Sequence, residues 1–348
     1  MKQDKDLHEW PIDGLERVLR CPVCGERDRK ALYHSLTDKV FFCAPGKWAM
    51  YSCASCESAY LDPRPTAGSI GLAYKQYFTH VREDISSLSL LNKLKRRIET
   101  AYRNYRYGCV GSSDFFGFIS ALIISLYPNG RRNMDLSMRH LNRVEKGQVL
   151  LDFGCGNGDF LRRAREVGWE VRGVDFDQKA VKQAREGGLD VRVGGVEVID
   201  EFEEKFDVIS LSHVLEHVHD SVGLLEHCFR KLKLGGYIWL ETPNIGSFGH
   251  QYFGANWRDL DVPRHLVIFN LKSLRSVLKA VGFVDIEMQG YNSINLVTLR
   301  GSLAIAEGKS PFSANLPKVP QGLQNKAEHI AKNDESRREF ITIKARRK

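Results

Sequence analysis

The stretch from Gln148 to Gly158, QVLLDFGCGNG, constrains the fold of this chain more than any other. An apolar, strand-forming run ends in an acid, Asp152, and Gly154, Gly156 and Gly158 then alternate through a turn. Glycine lets the backbone bend sharply and lets a ligand approach with no Cβ in the way. A helix opening near Asn157 would offer free backbone N–H groups in its first turn. Dinucleotide sites share this strand–turn–helix layout, but their glycines follow G-x-G-x-x-G around a pyrophosphate. Here the spacing is D-x-G-x-G-x-G. An acid at the strand end repels a pyrophosphate and can hold a cationic aminoacyl group. The pattern therefore favours a cofactor bearing an ammonium and a sulfonium over one bearing phosphates. The next apolar run also ends in an acid, Asp175, placed where a carboxylate can accept hydrogen bonds from both hydroxyls of a ribose.

From Gln148 onward, short β-prone runs alternate with helical windows, which predicts an α/β fold around a parallel sheet. Strands are expected at 148–152, 169–174, 189–193, 206–212, 236–241, 283–289 and 338–346, and helices near 157–167, 177–186, 221–233 and 271–281. The chain divides into a lead-in and cysteine module (1–66), a helical segment (67–147) and the α/β domain (148–348). Within the last, 292–336 reads as an insertion, loop-like through SPFSANLPKVPQGLQNK.

Four of the eight cysteines form two C-x-x-C pairs, Cys21 with Cys24 and Cys53 with Cys56, while Cys43, Cys109, Cys155 and Cys228 are scattered. Four thiolates from two such turns suit a closed, structural Zn²⁺ site. Cys43 and His34 stand alone and are poor substitutes for any of the four. The polar N-terminus, MKQDKDLHEWPIDG, has no apolar leader, so a cytoplasmic protein with reduced cysteines is expected. The formal net charge is +8, and residues 85–147 carry eleven Lys or Arg against four acids, nearly the whole excess. The same segment holds the longest apolar run, Phe115–Tyr127, too short to span a bilayer and read as a buried helix or an interfacial segment. Together these features suggest a lid facing phosphates or anionic lipid at the inner face of the membrane. Because the basic run is interleaved with apolar helix, it argues against nucleic acid as the partner.

Three ordered motifs across residues 148–241 resemble class I S-adenosylmethionine-dependent methyltransferases. They are the glycine loop, the string Phe206–Val218 (FDVISLSHVLEHV) and the turn Leu232–Tyr237 (LKLGGY). The resemblance implies a Rossmann-like seven-stranded sheet with a reversed last strand. It also implies that Asp152, Gly154 and Gly156 meet the methionine part of the cofactor, with Cys155 among the cofactor-binding residues. Asp175 would hold the ribose, Phe176 would lie beside the adenine, and Ser212 and His213 would floor the site. After the third strand, Val193-Gly194-Gly195-Val196 lacks the acid that often meets the adenine amine. A zinc ribbon ahead of such a domain resembles enzymes that modify sugars and cell-envelope polysaccharides, including deoxysugar C-methyltransferases. Those carry a further C-terminal domain for which 348 residues leave no room, so oxygen is the expected acceptor atom.

Acceptor groups are expected on loops at the carboxyl ends of the strands. The candidates are His213, Glu216 and His217 after the fourth strand, Glu241–Asn244 after the fifth, and the loop Trp257–Leu266 (WRDLDVPRHL). Strings similar to the first, in polyprenyl-quinone O-methyltransferases and small-RNA end methyltransferases, include metal ligands, with an acid at the position of His213. His265 is the first candidate for general base, with His213 and His217 beside it, because imidazole titrates near neutrality. Arg264 is a candidate partner for a substrate phosphate. The expected activity is methyl transfer to an oxygen of a sugar, glycolipid or other small molecule. An RNA methyltransferase and a non-catalytic cofactor-binding scaffold are the rivals.

Overall fold

The computed structural model describes residues 9–74, 90–108, 115–290 and 295–348. Residues 1–8 of the expected lead-in, residues 75–89 of the helical segment, Cys109, Asp114 and the start of the expected insertion (291–294) lie outside them. Five short strands come first: β1 (Leu15–Glu16), β2 (Arg29–Leu36), β3 (Trp48–Cys53), β4 (Ala59–Leu61) and β5 (Arg64–Pro65). Three helices follow, α1 (Leu90–Tyr107), α2 (Phe115–Ser125) and α3 (Pro128–Ser137). The alternating part then runs β6 (Val149–Phe153), α4 (Asp159–Glu166), β7 (Glu170–Asp175), α5 (Gln178–Glu186), β8 (Val191–Val193), α6 (Glu197–Asp200), β9 (Phe206–Ser212), α7 (Ser221–Lys231) and β10 (Leu232–Pro243). It closes with α8 (Phe248–Phe253), β11 (Val267–Ile268), α9 (Leu271–Val281), β12 (Val284–Met288), α10 (Asn295–Ala306), α11 (Gln321–Asn333) and β13 (Phe340–Arg346).

Local chemistry sets several of these boundaries. Asp220 caps α7 by accepting from Gly223 N–H, and Asn270 and Ser273 cap α9 reciprocally, with left-handed Gly282 ending it. The main sheet has the order β12-β13-β10-β9-β6-β7-β8. Strands β6 to β10 pair in parallel and β13 runs antiparallel to both β10 and β12. This is the expected Rossmann-like sheet with its last strand reversed. The chain winds from β6 out to β8 and returns to β9 on the other side of β6, so a cleft opens between β6 and β9 at their carboxyl ends.

Each face of the sheet is buried against a different part of the chain. One face packs Leu150, Val171, Val208 and Trp239 against Tyr102, Tyr107, Ile124 and Met138 of the helical segment. The inner side of α1–α3 is thus core cover. The outer side of α2 is not: Phe115 is 79% exposed and Leu122 55%, which corrects the reading of 115–127 as a buried helix. The other face packs Leu151, Ile209 and Leu211 with α7 and α9, and the same cluster includes Val18, Cys21, Cys53 and Tyr60 of the N-terminal strands.

Those strands are joined to the α/β part by backbone pairing as well. Strand β11, from the 257–268 loop, adds to the antiparallel sheet β4-β3-β2, with Val267 opposite Tyr60 and Ile268 opposite Ala59. Within 292–336, the stretch 310–326 expected to be loop-like is irregular as far as Pro320, after which α11 begins, and α10 precedes it.

Candidate functional site

The glycine loop leaves β6 with Gly154, Gly156 and Gly158 all at positive φ (77°, 53° and 81°). At Gly154 a Cβ would also lie 2.5 Å from Val214 Cγ2, so both conformation and space demand glycine there. Asp152 is fully buried beside Ser210, whose hydroxyl donates to it at 3.0 Å. Arg139, on the turn before β6, donates to the same carboxylate oxygen, and the other oxygen, Oδ2, accepts no hydrogen bond among the described residues. Burial pushes the Asp152 carboxyl up, against the pull of Arg139.

Asp175 ends β7 and accepts from the backbone N–H of Gly156 (2.7 Å) and Asp177 (2.9 Å). It thereby ties the glycine loop to the next strand. Phe176 follows it, 62% exposed, with the Tyr74 ring 5.4 Å away edge-on. Cys155 is buried under the loop and its thiol is pushed up by that burial.

A second group of polar residues lies at the ends of β9 and β10, on the same edge of the sheet. Ser212 pairs with Glu241 across the two strands. His213, at φ 54°, sets its ring between two carboxylates, Nδ1 3.3 Å from Glu216 and Nε2 3.4 Å from Glu241. Burial opposes the imidazolium, but these carboxylates outweigh it and raise its pKa to about 10. Burial likewise works against the Glu216 anion, yet His213, His217 and His265 hold its pKa down at about 2. The two carboxylates thus favour the imidazolium form of His213, which makes it a poor proton acceptor.

Glu216, His217 and His265 offer one ligand atom each within 4.8 Å of one another. Glu216 accepts from the Thr242 hydroxyl at 2.9 Å through Oε2, while Oε1 is the oxygen that faces His213 Nδ1. His265 donates from Nδ1 to the Asp259 carbonyl at 2.7 Å, which leaves Nε2 as the basic nitrogen of a neutral ring. Burial, with His217 next to it, lowers its pKa to about 4. A base of that affinity takes a proton poorly near neutrality, which counts against His265 as general base. His217 Nδ1 lies 3.0 Å from both the Arg264 carbonyl and the Tyr74 hydroxyl. Tyr74, which nothing in the sequence marked, thus links the residue after Asp175 to the histidine pair.

Arg264 is wholly buried and spends its guanidinium on Asp38, Asp261 and the Ala73 carbonyl. The expectation that it meets a substrate phosphate is corrected, because a group sealed between two carboxylates has no face left for a ligand. Asp38 also accepts from the N–H groups of Val40, Phe41, Cys43 and Ala44, and its carboxyl is held at about 2 by Arg264 against the effect of burial.

The four C-x-x-C sulfurs converge to within 4.8 Å of one another, with Cys21 Sγ 3.6 Å from Cys56 Sγ and Cys24 Sγ 3.5 Å from Cys53 Sγ. A tetrahedral zinc with bonds of about 2.3 Å would set its sulfurs about 3.8 Å apart, so the donor set and spacing fit that ion. Cys43 lies outside the group, its thiol on the Ala73 carbonyl. Among the described residues, no helix is long and apolar enough to cross a membrane.

Residues 128–288 match a family described as "Methyltransferase domain". The chain is 30% identical over 140 residues to a "Probable S-adenosylmethionine-dependent methyltransferase" of Mycolicibacterium smegmatis, covering 39% of this chain and 52% of that one. It is 35% identical over 105 residues to the ubiquinone biosynthesis O-methyltransferase of Thiobacillus denitrificans, covering 28% of this chain and 45% of that one. The chain thus spans about half the length of these curated relatives. A solved structure of a SAM-dependent methyltransferase from Archaeoglobus fulgidus aligns over 67% of this chain and all of its own, at 22% identity and a TM-score of 0.42.

Proposed function

We propose that this chain transfers the methyl group of S-adenosylmethionine to an oxygen of a small-molecule acceptor, a sugar or a lipid-linked glycan. The observation that carries the reading is the pair of acids at adjacent strand ends, Asp152 and Asp175, set on either side of a glycine loop at the switch point of the sheet. In this reading Asp152, Gly154, Cys155 and Gly156 take the methionine moiety, Asp175 the ribose hydroxyls, and Phe176 the adenine. Ser212 lines the floor. The sulfonium already activates the methyl group, so the protein's task is to aim an acceptor oxygen in line and relieve it of a proton. Of the three histidines singled out as catalytic, His213 is favoured as an imidazolium between Glu216 and Glu241, and His265 stays neutral. His217 remains as the group to receive the proton.

The cluster supports a second reading of its chemistry. A carboxylate and two imidazoles are a familiar ligand set for divalent metals, and neutral rings whose Nδ1 is tied to a carbonyl make good ligands. A cation on Glu216, His217 and His265 would lower the pKa of an acceptor hydroxyl directly. At the other end, Cys21, Cys24, Cys53 and Cys56 would hold one structural zinc. The exposed apolar side of α2, with Arg131 and Arg132 close behind it on α3, supports peripheral contact with an anionic membrane.

The test is to incubate the protein with methyl-labelled S-adenosylmethionine and separate fractions of soluble glycans, glycolipids and RNA. Label is expected in a glycan or glycolipid fraction. Label in RNA alone, or none anywhere while the cofactor still binds, would overturn the acceptor assignment. Sedimentation with anionic but not neutral vesicles, weakened by salt, is expected if the α2 face meets a membrane, and no sedimentation in any condition would dismiss that contact.

A further inference from the structure

Two phenylalanines from separate parts of the chain meet beside the loop that carries His265. The Asp38 carboxylate gathers the N–H groups of Val40, Phe41, Cys43 and Ala44, which winds 38–44 into a tight turn with Phe42 at φ 57°. On this turn Phe41 lays its ring against Arg264, 4.5 Å from the guanidinium carbon. Phe312 comes from the stretch between α10 and α11, next to the buried Pro311. A Cβ on Gly301 of α10 would lie 2.5 Å from Arg258 Cδ and 3.2 Å from Pro311 Cβ, so only glycine lets these two seat there. The Phe312 ring stands 4.9 Å from that of Phe41, tilted by 38°, and 5.8 Å from the Arg258 guanidinium. Its neighbours are packed, yet the ring itself is 55% exposed. The carbonyls of Asp259 and Arg264 fix His265 and His217, so the ring pair stands beside the histidine cluster.

A ring that only fills space turns inward, whereas this one is held by packed neighbours and left open to solvent. Its surroundings are mixed. Arg258, with a side chain 24% exposed, lies against it with Nη1 on Asp259, and on the Phe41 turn Lys39 Nζ donates to Asn256 Oδ1 at 2.8 Å. Charges so close to the ring suit a hydrocarbon chain poorly, because covering them without a polar partner is costly. They suit a pyranose ring. Its C–H face carries slight positive charge and stacks on the negative face of an aromatic ring, while its rim of hydroxyls needs polar partners. We propose that Phe312, backed by Phe41, is a stacking subsite for a sugar ring of the acceptor, with Arg258 meeting its hydroxyls. The subsite rests on the glycan reading of the acceptor above.

The test is saturation-transfer NMR on the full chain with the methyl glycosides of glucose, galactose, mannose and rhamnose, and with sorbitol and hexanol as controls. At least one glycoside should receive saturation on its ring C–H protons, and sorbitol, which has hydroxyls but no ring face, should receive none. Titration should show Phe312→Ala weakening that glycoside by about 2- to 10-fold, the range of an aromatic stacking contact, and Phe312→Tyr retaining it. Phe312 is more than half exposed, so the alanine variant should keep the wild-type melting temperature. No saturation of any glycoside, or equal binding by Phe312→Ala, would overturn the proposal. Saturation of hexanol in place of the glycosides would overturn it too, marking a surface for lipid. Failure of the acceptor reading looks different: a glycoside would still bind through Phe312 while label from S-adenosylmethionine went to RNA alone.

Discussion

The two ends of the cleft are built in opposite ways. The end proposed to hold the cofactor comes from one continuous stretch and the strand beside it: Asp152, three glycines at positive φ and Asp175. The end proposed to meet the acceptor is assembled from places far apart in the chain. Tyr74, Glu216–His217 and His265 meet there, and Asp38 reaches across from the cysteine module to fix the loop of His265 through Arg264. A site made from a local turn depends on little else than its own residues. A site made from distant loops depends on whatever clamps them, and here the clamp is the N-terminal module.

Removing the metal proposed for that module should break the comparison most severely. Structural zinc supplies folding energy outright, about 10 kcal/mol or more in small zinc domains. Asn270 donates to the Cys56 carbonyl at 2.8 Å, Ser58 to Ser273 at 2.9 Å, and Cys21 and Cys53 belong to the main core. Chelation, or Cys56→Ser, should therefore lower the melting temperature of the whole chain. Loss confined to protease cleavage within 21–62, with an unchanged melting temperature, would show that the two parts are independent. Metal analysis should return about one zinc per chain, lost in the variant.

The Asp38 clamp is the next largest effect. Asp38→Ala leaves Arg264 buried with Asp261 as its remaining carboxylate, and breaking a buried ion pair costs about 3–5 kcal/mol. Urea denaturation measures this directly. A loss under about 1 kcal/mol, within the range of exposed ion pairs, would mean that the clamp is not coupled to stability.

Smaller effects follow from pH, and they also separate the two ends. His213 has a raised pKa, so its contribution is complete below about 6.5 and fades as pH rises towards about 10. His265 has a lowered one, so the unfolded chain binds its proton first and stability declines as pH falls from about 6.5 towards about 4. Stability should peak near pH 6.5 in melting curves taken across pH. His213→Gln should flatten the alkaline limb and His265→Asn the acid limb, and limbs that survive both changes would assign the pH dependence elsewhere.

The same contrast explains what could be read from the sequence. Strand β9 at 206–212 and helix α9 at 271–281 follow from the alternation of β-prone runs and helical windows, and the glycine loop from spacing alone. Tyr74, Asp38 and Arg139 carry no local signal, because each acquires its role only when the chain folds back on itself. Arg264 looked like a ligand for phosphate because sequence shows a charge and not the two carboxylates that enclose it. Strand β11 is two residues long, too short for alternation to register, and α10 (NLVTLRGSLAIA) has no single apolar stripe to betray a helix.

The central claim is that the loop and the two strand-end acids hold S-adenosylmethionine, and titration calorimetry with S-adenosylhomocysteine on the wild type and Asp175→Ala tests it most directly. The wild type should bind, and the variant should bind more weakly by about 1.5–3 kcal/mol, the loss expected for hydrogen bonds to a charged group. NAD should not bind. Unchanged affinity in the variant, or equal binding of NAD by the wild type, would contradict the assignment.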